Sequence, residues 1–190
     1  KYCAFSGEYD NQREHSRLKM TKDVARKAIE KFHKSINETR KVDFTTLPAI
    51  GFYGGEPLLE FDLLKDSVEY IKEIFKENVC ILVTTNGTLM NEEMARFFIE
   101  NNIFVTFSLN GHKDENDRMR VYADGKGTYD DIYRNLMLLK DMDEEYYNKN
   151  VKLSVVIDYG TDLFEMDRFY TEHSEIPEVN RTSMVLDYFT

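Results

Sequence analysis

Short apolar runs alternate along the chain with longer stretches whose apolar residues recur at helical spacing. Five runs predict strands, at residues 49–53, 79–84, 103–109, 151–157 and 182–186. They are rich in Val, Ile and Phe and lack strict polar alternation, which is typical of strands buried on both faces of a parallel sheet. The regular alternation of strand and helix predicts an α/β fold.

The intervening stretches predict helices, and several begin at residues that favour a helix start. Thr21 and Asn91 are predicted N-caps, because their side-chain oxygens can accept from backbone N–H groups of the first turn. Thr128, with Asp131 three residues later, is close to a capping box. Two further stripes occupy 64–75 and 163–169. Right-handed crossovers between such strands give an open doubly wound sheet or a barrel, and in a barrel the chemistry lies where strands end.

Length, charge and cysteine content narrow the class of protein. The chain has 190 residues, which suffices for one packed domain but is short of the roughly 250 residues of a complete (β/α)8 barrel. Its net charge of −10 disfavours nucleic-acid partners and suits a basic peptide. No apolar run reaches the ~20 residues of a membrane span. The 2 cysteines cannot form a disulfide framework, so we expect a reduced, cytoplasmic protein without a membrane partner.

The first predicted strand runs directly into Gly54, Gly55 and Glu56. Glycines let the backbone adopt unusual φ values and let a ligand approach closely, and Glu56 supplies a carboxylate acceptor. Such a cluster suits an ammonium group. An ordinary turn is the alternative interpretation. The second strand ends in Thr-Asn-Gly-Thr at 85–88, where Asn-Gly favours a structural turn.

Further candidate residues lie at the end of the third predicted strand, in the polar stretch after it, and at the start of the chain. Ser108 could bond a ribose hydroxyl or cap the neighbouring backbone. Arg120 could fork onto a carboxylate, or be a solvated surface arginine. Cys3 lies among polar, loop-like neighbours and fits poorly as a buried residue, whereas Cys80 in an apolar strand fits that role well.

Together these motifs resemble the radical S-adenosylmethionine (SAM) superfamily, in its SPASM/twitch branch. That branch contains anaerobic sulfatase-maturating enzymes and radical SAM peptide maturases. The resemblance implies a partial (β/α)6 TIM-like barrel of parallel strands, truncated at both ends. Residues 1–190 would form one incomplete core domain, with the first cluster cysteines upstream and the SPASM/twitch extension downstream. This fragment alone is therefore expected to be inactive.

The resemblance also implies a role for each matching residue. One thiolate of a [4Fe-4S] cluster would come from Cys3, and a backbone contact to adenine is expected within 184–187. Two positions depart from the branch, since Asn110 stands where Asp is common and Asn116 where His is frequent. The SAM-binding residues would be Tyr2 near the adenine, Gly54, Gly55 and Glu56 at the methionyl amino group, Ser108 at the ribose, and Arg120.

The activity implied by the resemblance is reductive cleavage of SAM to a 5′-deoxyadenosyl radical, which then modifies a peptide or protein substrate with or without a leader sequence. An electron donor such as flavodoxin or ferredoxin would be a partner. The residue that completes the reaction is unassigned, and Asp158 at a strand end is a candidate by position only. Two alternatives stay open. One is a truncated or degenerate, non-catalytic SAM-binding module, and the other is a non-radical (β/α) barrel enzyme whose Gly-Gly turn binds a phosphate.

Overall fold

A computed structural model of the protein describes residues 18–39, 47–76 and 78–184. The described residues form five strands, seven α-helices and one short 3₁₀ helix. The strands are β1 (Ala49–Phe52), β2 (Cys80–Thr85), β3 (Phe104–Ser108), β4 (Val151–Ile157) and β5 (Val179–Met184). The α-helices are α1 (Lys22–Thr39), α2 (Phe61–Phe75), α3 (Glu92–Glu100), α4 (Lys113–Met119), α5 (Tyr129–Met142), α6 (Glu144–Asn150) and α7 (Leu163–Glu172). The 3₁₀ helix is Pro57–Glu60.

All neighbouring strands pair in parallel, and their order in the sheet is β1-β2-β3-β4-β5. Each strand therefore lies beside the next strand of the chain, with one or more helices in the connection. This confirms the predicted partial TIM-like barrel of parallel strands, of which the described residues form a half-barrel. None of the helices in the described ranges is both long and apolar enough to cross a bilayer.

The outer face of the sheet supplies the core. Ile81, Val83, Val105, Phe107 and Leu153 share one hydrophobic cluster with residues from several helices, and each is at most 5% exposed. Burial of this apolar surface is the main source of stability in such a layer. The helices therefore cover one face of the sheet and hold the strand ends at fixed positions.

The opposite face, called the inner face below, carries Thr84 on β2, Thr106 and Ser108 on β3, and Ser154 on β4. Paired residues of parallel strands point to the same side, and Thr84 pairs with Thr106 while Ser108 pairs with Ser154. The three residues of this set on β2 and β3 are half-buried. The inner face is thus more polar and less covered than the outer face.

The first four predicted strands match the observed strands to within about one residue at each end, and the fifth does not. The run predicted at 182–186 is wrong in its start, since β5 begins at Val179. The first residues of β5 are polar or exposed, including Asn180 and Arg181, because this strand has only one described neighbour in the sheet. An exposed edge strand lacks the apolar signal that marks buried strands.

Two helix predictions need correction. The short helices α4 and α6 were not predicted, because their sequences are mostly polar and carry little apolar periodicity. The capping box at Thr128 is wrong, since this side chain makes no cap bond at the start of α5. The carboxylate of Asp117 instead accepts from the backbone N–H groups of Thr128 and Tyr129, at 2.8 and 2.9 Å. The caps at Thr21 and Asn91 are confirmed.

Candidate functional site

The connections that carry the candidate residues leave the carboxyl ends of β1, β2, β3 and β4. In a parallel sheet these ends lie at one edge, so the connections at 53–60, 86–91, 109–112 and 158–162 share the same rim. Glu56 and Ser108 belong to this rim. Arg120 follows α4, and its side chain reaches the rim by a hydrogen bond to Asn110.

The carboxylate of Glu56 joins the ends of β1 and β2. Its Oε1 accepts from the hydroxyl of Thr85 at 2.6 Å and from the N–H of Leu58 at 3.0 Å, while Oε2 accepts from the N–H of Asn86 at 2.7 Å. Three donors therefore satisfy both oxygens of this carboxylate and fix its orientation. The sequence predicted an acceptor here, but it did not predict that the same group also fixes the neighbouring turn.

The two glycines before Glu56 leave open space beside the backbone. A Cβ added at Gly54 or Gly55 would meet no atom within 4 Å. Gly54 has a backbone φ of +151°, a value that residues other than glycine rarely adopt. Packing within the described residues therefore does not require glycine at 55, and a ligand can approach the main chain at both positions.

The turn after β2 is structural, as the turn interpretation predicted. The side-chain oxygen of Asn86 accepts from the N–H and the hydroxyl of Thr88, at 3.0 and 2.8 Å. Gly87 has a φ of +76°, and a Cβ there would lie 2.4 Å from the ring of Phe107. Glycine is thus required at 87 by both conformation and packing.

Arg120 is 5% exposed, so its interpretation as a solvated surface arginine is wrong. Its Nε donates to Oδ1 of Asn110 at 3.2 Å, and the same oxygen accepts from the N–H of Val156 on β4 at 3.0 Å. The guanidinium is therefore held at the ends of β3 and β4. The amide Nδ2 of Asn110 is buried and finds no partner in the described part of the chain.

A buried polar network lies behind Arg120, and sequence reasoning missed it. Oδ1 of Asn116 accepts from the N–H of Asn110 at 3.2 Å, and its Nδ2 donates to Asp117 at 2.9 Å. The hydroxyl of Thr128 donates to the carbonyl of Arg120 at 3.0 Å. The available signal was the pair Asn110 and Asn116, which are neutral amides where the branch that the sequence resembles commonly has Asp and His.

A second group, the Arg118 clamp, consists of Glu115, Arg118, Asp158 and Thr161. Arg118 forms paired hydrogen bonds with Glu115, at 3.1 and 2.7 Å, and with Asp158, at 2.9 and 2.8 Å. The hydroxyl of Thr161 donates to Glu115 at 2.8 Å. The neighbouring guanidinium lowers the pKa of Asp158. Asp158 therefore ties α4 to the connection after β4, which is an ion-pair role that its position alone did not reveal.

Tyr2, Cys3 and residues 185–187 lie outside the described residues. In the described ranges, no group of three His, Cys, Asp or Glu side chains could hold a metal ion. Cys80 is half-buried in β2, and burial raises the pKa of its thiol, which suits the predicted structural role. The role of Cys3 as a ligand of the iron–sulfur cluster therefore stays a prediction from the sequence.

Comparisons with known proteins agree on one family. The model of the radical SAM superfamily matches residues 1–162. The chain is 37% identical over 98 residues to the cysteine-type anaerobic sulfatase-maturating enzyme of Clostridium novyi, covering 50% of this chain and 26% of that protein. It is 25% identical over 186 residues to the serine-type anaerobic sulfatase-maturating enzyme of Bacteroides thetaiotaomicron, covering 94% of this chain and 43% of the relative.

Solved structures show the same fold. The structure described as native anSMEcpe with bound AdoMet superposes with a TM-score of 0.77, over 98% of this chain and 48% of that chain, at 21% identity. The same protein with bound AdoMet and Kp18Cys peptide gives a TM-score of 0.74 at 20% identity, over 98% of this chain and 47% of that chain. The chain therefore spans less than half the length of each of these three proteins.

Proposed function

Because this chain belongs to the radical SAM superfamily, whose members use a [4Fe-4S] cluster and SAM, we propose that it is the cofactor-binding core of an enzyme that modifies a peptide or protein. The relatives named as sulfatase-maturating enzymes support a protein substrate, as does the peptide bound to anSMEcpe. We place the enzyme in the SPASM/twitch branch on the strength of its motifs around 54–56 and 108–120.

The observation that carries this proposal is the set of polar groups at one rim of the sheet. SAM presents an ammonium group, a carboxylate and two ribose hydroxyls. Glu56 and the open backbone at Gly54 and Gly55 would accept from the ammonium group. Arg120 would donate to the carboxylate, and Ser108 would bond a ribose hydroxyl.

Local features of the rim fit a ligand of this kind. The space beside Gly54 and Gly55 is open, and the hydroxyl of Ser108 has no hydrogen-bond partner among the described residues. The buried Nδ2 of Asn110 also lacks one there. An unpaired buried polar group costs about 1–3 kcal/mol, so a ligand that supplies an acceptor would stabilise this rim.

The cluster would be held in part by Cys3, and the described residues would bind and orient SAM beside it. A cluster held by three thiolates leaves one iron open, and when bound it supplies the electron that cleaves the sulfonium of SAM. That electron would come from a reduced donor such as flavodoxin or ferredoxin, and we propose a cytoplasmic location to match.

A phosphate ligand at the Gly-Gly turn finds less support. The carboxylate of Glu56 already accepts from the N–H of Leu58 at the start of the 3₁₀ helix. A phosphate at the same turn would meet this negative charge.

The two cysteines allow a matched test of the proposal. We would reconstitute the full-length protein without oxygen and measure iron content and release of 5′-deoxyadenosine under reducing conditions. Replacement Cys3→Ala should lower iron content and abolish release, whereas Cys80→Ala should preserve both, because Cys80 lies in β2. The same assay tests the degenerate, non-catalytic alternative.

Two results would contradict the proposal. One is a wild-type protein that binds SAM and iron but releases no 5′-deoxyadenosine. The other is a Cys3→Ala variant that retains full iron content and release.

A further inference from the structure

A tyrosine of α7 bridges the backbone of the connection that follows β3. The hydroxyl of Tyr170 donates to the carbonyl of Leu109 at 2.9 Å and accepts from the N–H of Gly111 at 2.8 Å. One hydroxyl therefore satisfies backbone groups on both sides of Asn110, in a segment that is buried. Because buried backbone groups are nearly always paired, these two bonds fix the path of the connection.

The pairing of β3 with β4 changes at the same point. The N–H of Leu109 donates to the carbonyl of Ser154 at 3.2 Å, which continues the parallel ladder one residue past β3. In a regular parallel ladder each residue bonds to the residues on either side of its partner, so the carbonyl of Leu109 would accept from the N–H of Val156. That N–H instead donates to Oδ1 of Asn110 at 3.0 Å. A side-chain oxygen has thus taken the place of a backbone carbonyl.

This exchange of acceptors joins β4 to Arg120. Oδ1 of Asn110 also accepts from Nε of Arg120 at 3.2 Å, so a single amide oxygen links the strand end to the guanidinium. The carbonyl of Leu109 has lost its ladder donor, and the hydroxyl of Tyr170 supplies the replacement. Without that hydroxyl, this carbonyl and the Asn110 amide oxygen would compete for the one N–H of Val156.

We propose that Tyr170 is a positioning residue, which holds the connection after β3 so that Asn110 orients the guanidinium of Arg120. The inference rests on the proposed function, in which Arg120 donates to the carboxylate of SAM. Tyr170 acts through the backbone at 109 and 111 and does not itself contact the ligand. A forked contact with a carboxylate depends on the plane of the guanidinium, so a shift of Asn110 weakens only those ligands that carry a carboxylate.

Replacement Tyr170→Phe removes only the hydroxyl, and two ligands distinguish its effect from a general distortion. Equilibrium dialysis of the anaerobically reconstituted full-length protein would compare SAM with 5′-methylthioadenosine, which has no carboxylate. The affinity for SAM should fall about threefold to tenfold, and the affinity for 5′-methylthioadenosine should stay unchanged. In an Arg120→Lys background, Tyr170→Phe should cause no further loss of SAM affinity, because its effect passes through that guanidinium.

Tyr147→Phe is the matched control. The hydroxyl of Tyr147 donates to the carbonyl of Glu175 at 2.8 Å, but α6 precedes the amino end of β4, opposite the rim, so this variant should leave both affinities unchanged. The inference is overturned if Tyr170→Phe binds SAM as the wild type does, weakens both ligands equally, or lowers SAM affinity further in the Arg120→Lys background. An equal loss of SAM affinity in Tyr147→Phe would also overturn it. A wild-type protein that does not bind SAM would instead overturn the proposed function, and the inference with it.

Discussion

At the scale of single residues, the start of α5 depends on a carboxylate that is distant in sequence. Oδ1 of Asp117 accepts from the N–H groups of Thr128 and Tyr129 and from Nδ2 of Asn116. Gly127 makes this approach possible, because a Cβ at that position would lie 2.0 Å from Oδ2 of Asp117. The nearby polar side chain of Thr128 suggested a local cap, whereas the actual cap comes from the end of α4.

Replacement Gly127→Ala should therefore destabilise the protein. The added methyl group would displace the carboxylate of Asp117 and leave the first N–H groups of α5 unpaired. We expect a loss of about 1–3 kcal/mol in the free energy of unfolding, measured by urea denaturation of the full-length protein. The control is Gly51→Ala, where a Cβ would meet no atom within 4 Å. Equal stability of the two variants would contradict this role of Gly127.

At the scale of elements, apolar periodicity was sufficient for the buried strands and the long helices. Runs such as 151–157 match their strands because burial on the outer face demands apolar residues. The helix α4 escaped prediction, since its seven residues are mostly polar and its stability comes from tertiary contacts. Those contacts are the hydrogen bonds of Arg118 with Glu115 and Asp158. Asp158 is distant in sequence, so it lies beside Arg118 only in the folded protein.

The Arg118 clamp should make stability depend on pH in a defined window. The guanidinium lowers the pKa of Asp158 from its ordinary value of 3.8, so ionisation of this carboxylate favours the folded state. That contribution is fully present above about pH 4 to 5 and is lost as the pH falls through the lower folded-state pKa. Replacement Asp158→Asn should cost about 1–2 kcal/mol at pH 7 and less as the pH falls below 4.

Urea denaturation from pH 7 to pH 3 would measure this difference. Glu172→Gln is a suitable control, because Glu172 is an exposed carboxylate at the end of α7. Its effect should be small at every pH. A cost for Asp158→Asn that stays constant down to pH 3 would show that charge on Asp158 does not stabilise the clamp.

At the scale of the whole molecule, the parallel topology brings residues from distant parts of the sequence to one rim. The motifs around Gly54, Glu56 and Ser108 could be recognised in the sequence because each lies at the end of a predicted strand or directly after it. Burial of Arg120 and the pairing of Ser108 with Ser154 could not, since both depend on the register between β3 and β4. The motifs could therefore be found by their resemblance to the family. The residues that surround them in space are known only from the register of the folded sheet.

We propose that Arg120 belongs to a SAM site at this rim, and the binding of two ligands by one variant tests this role most directly. Arg120→Lys keeps the charge but loses the planar fork that matches a carboxylate. Its affinity for SAM should fall about tenfold, while its affinity for 5′-methylthioadenosine, which has no carboxylate, should stay unchanged. The exposed Arg96 provides the control Arg96→Lys, which should alter neither affinity. An Arg120→Lys variant that binds SAM as tightly as the wild type, or loses both ligands equally, would contradict the claim.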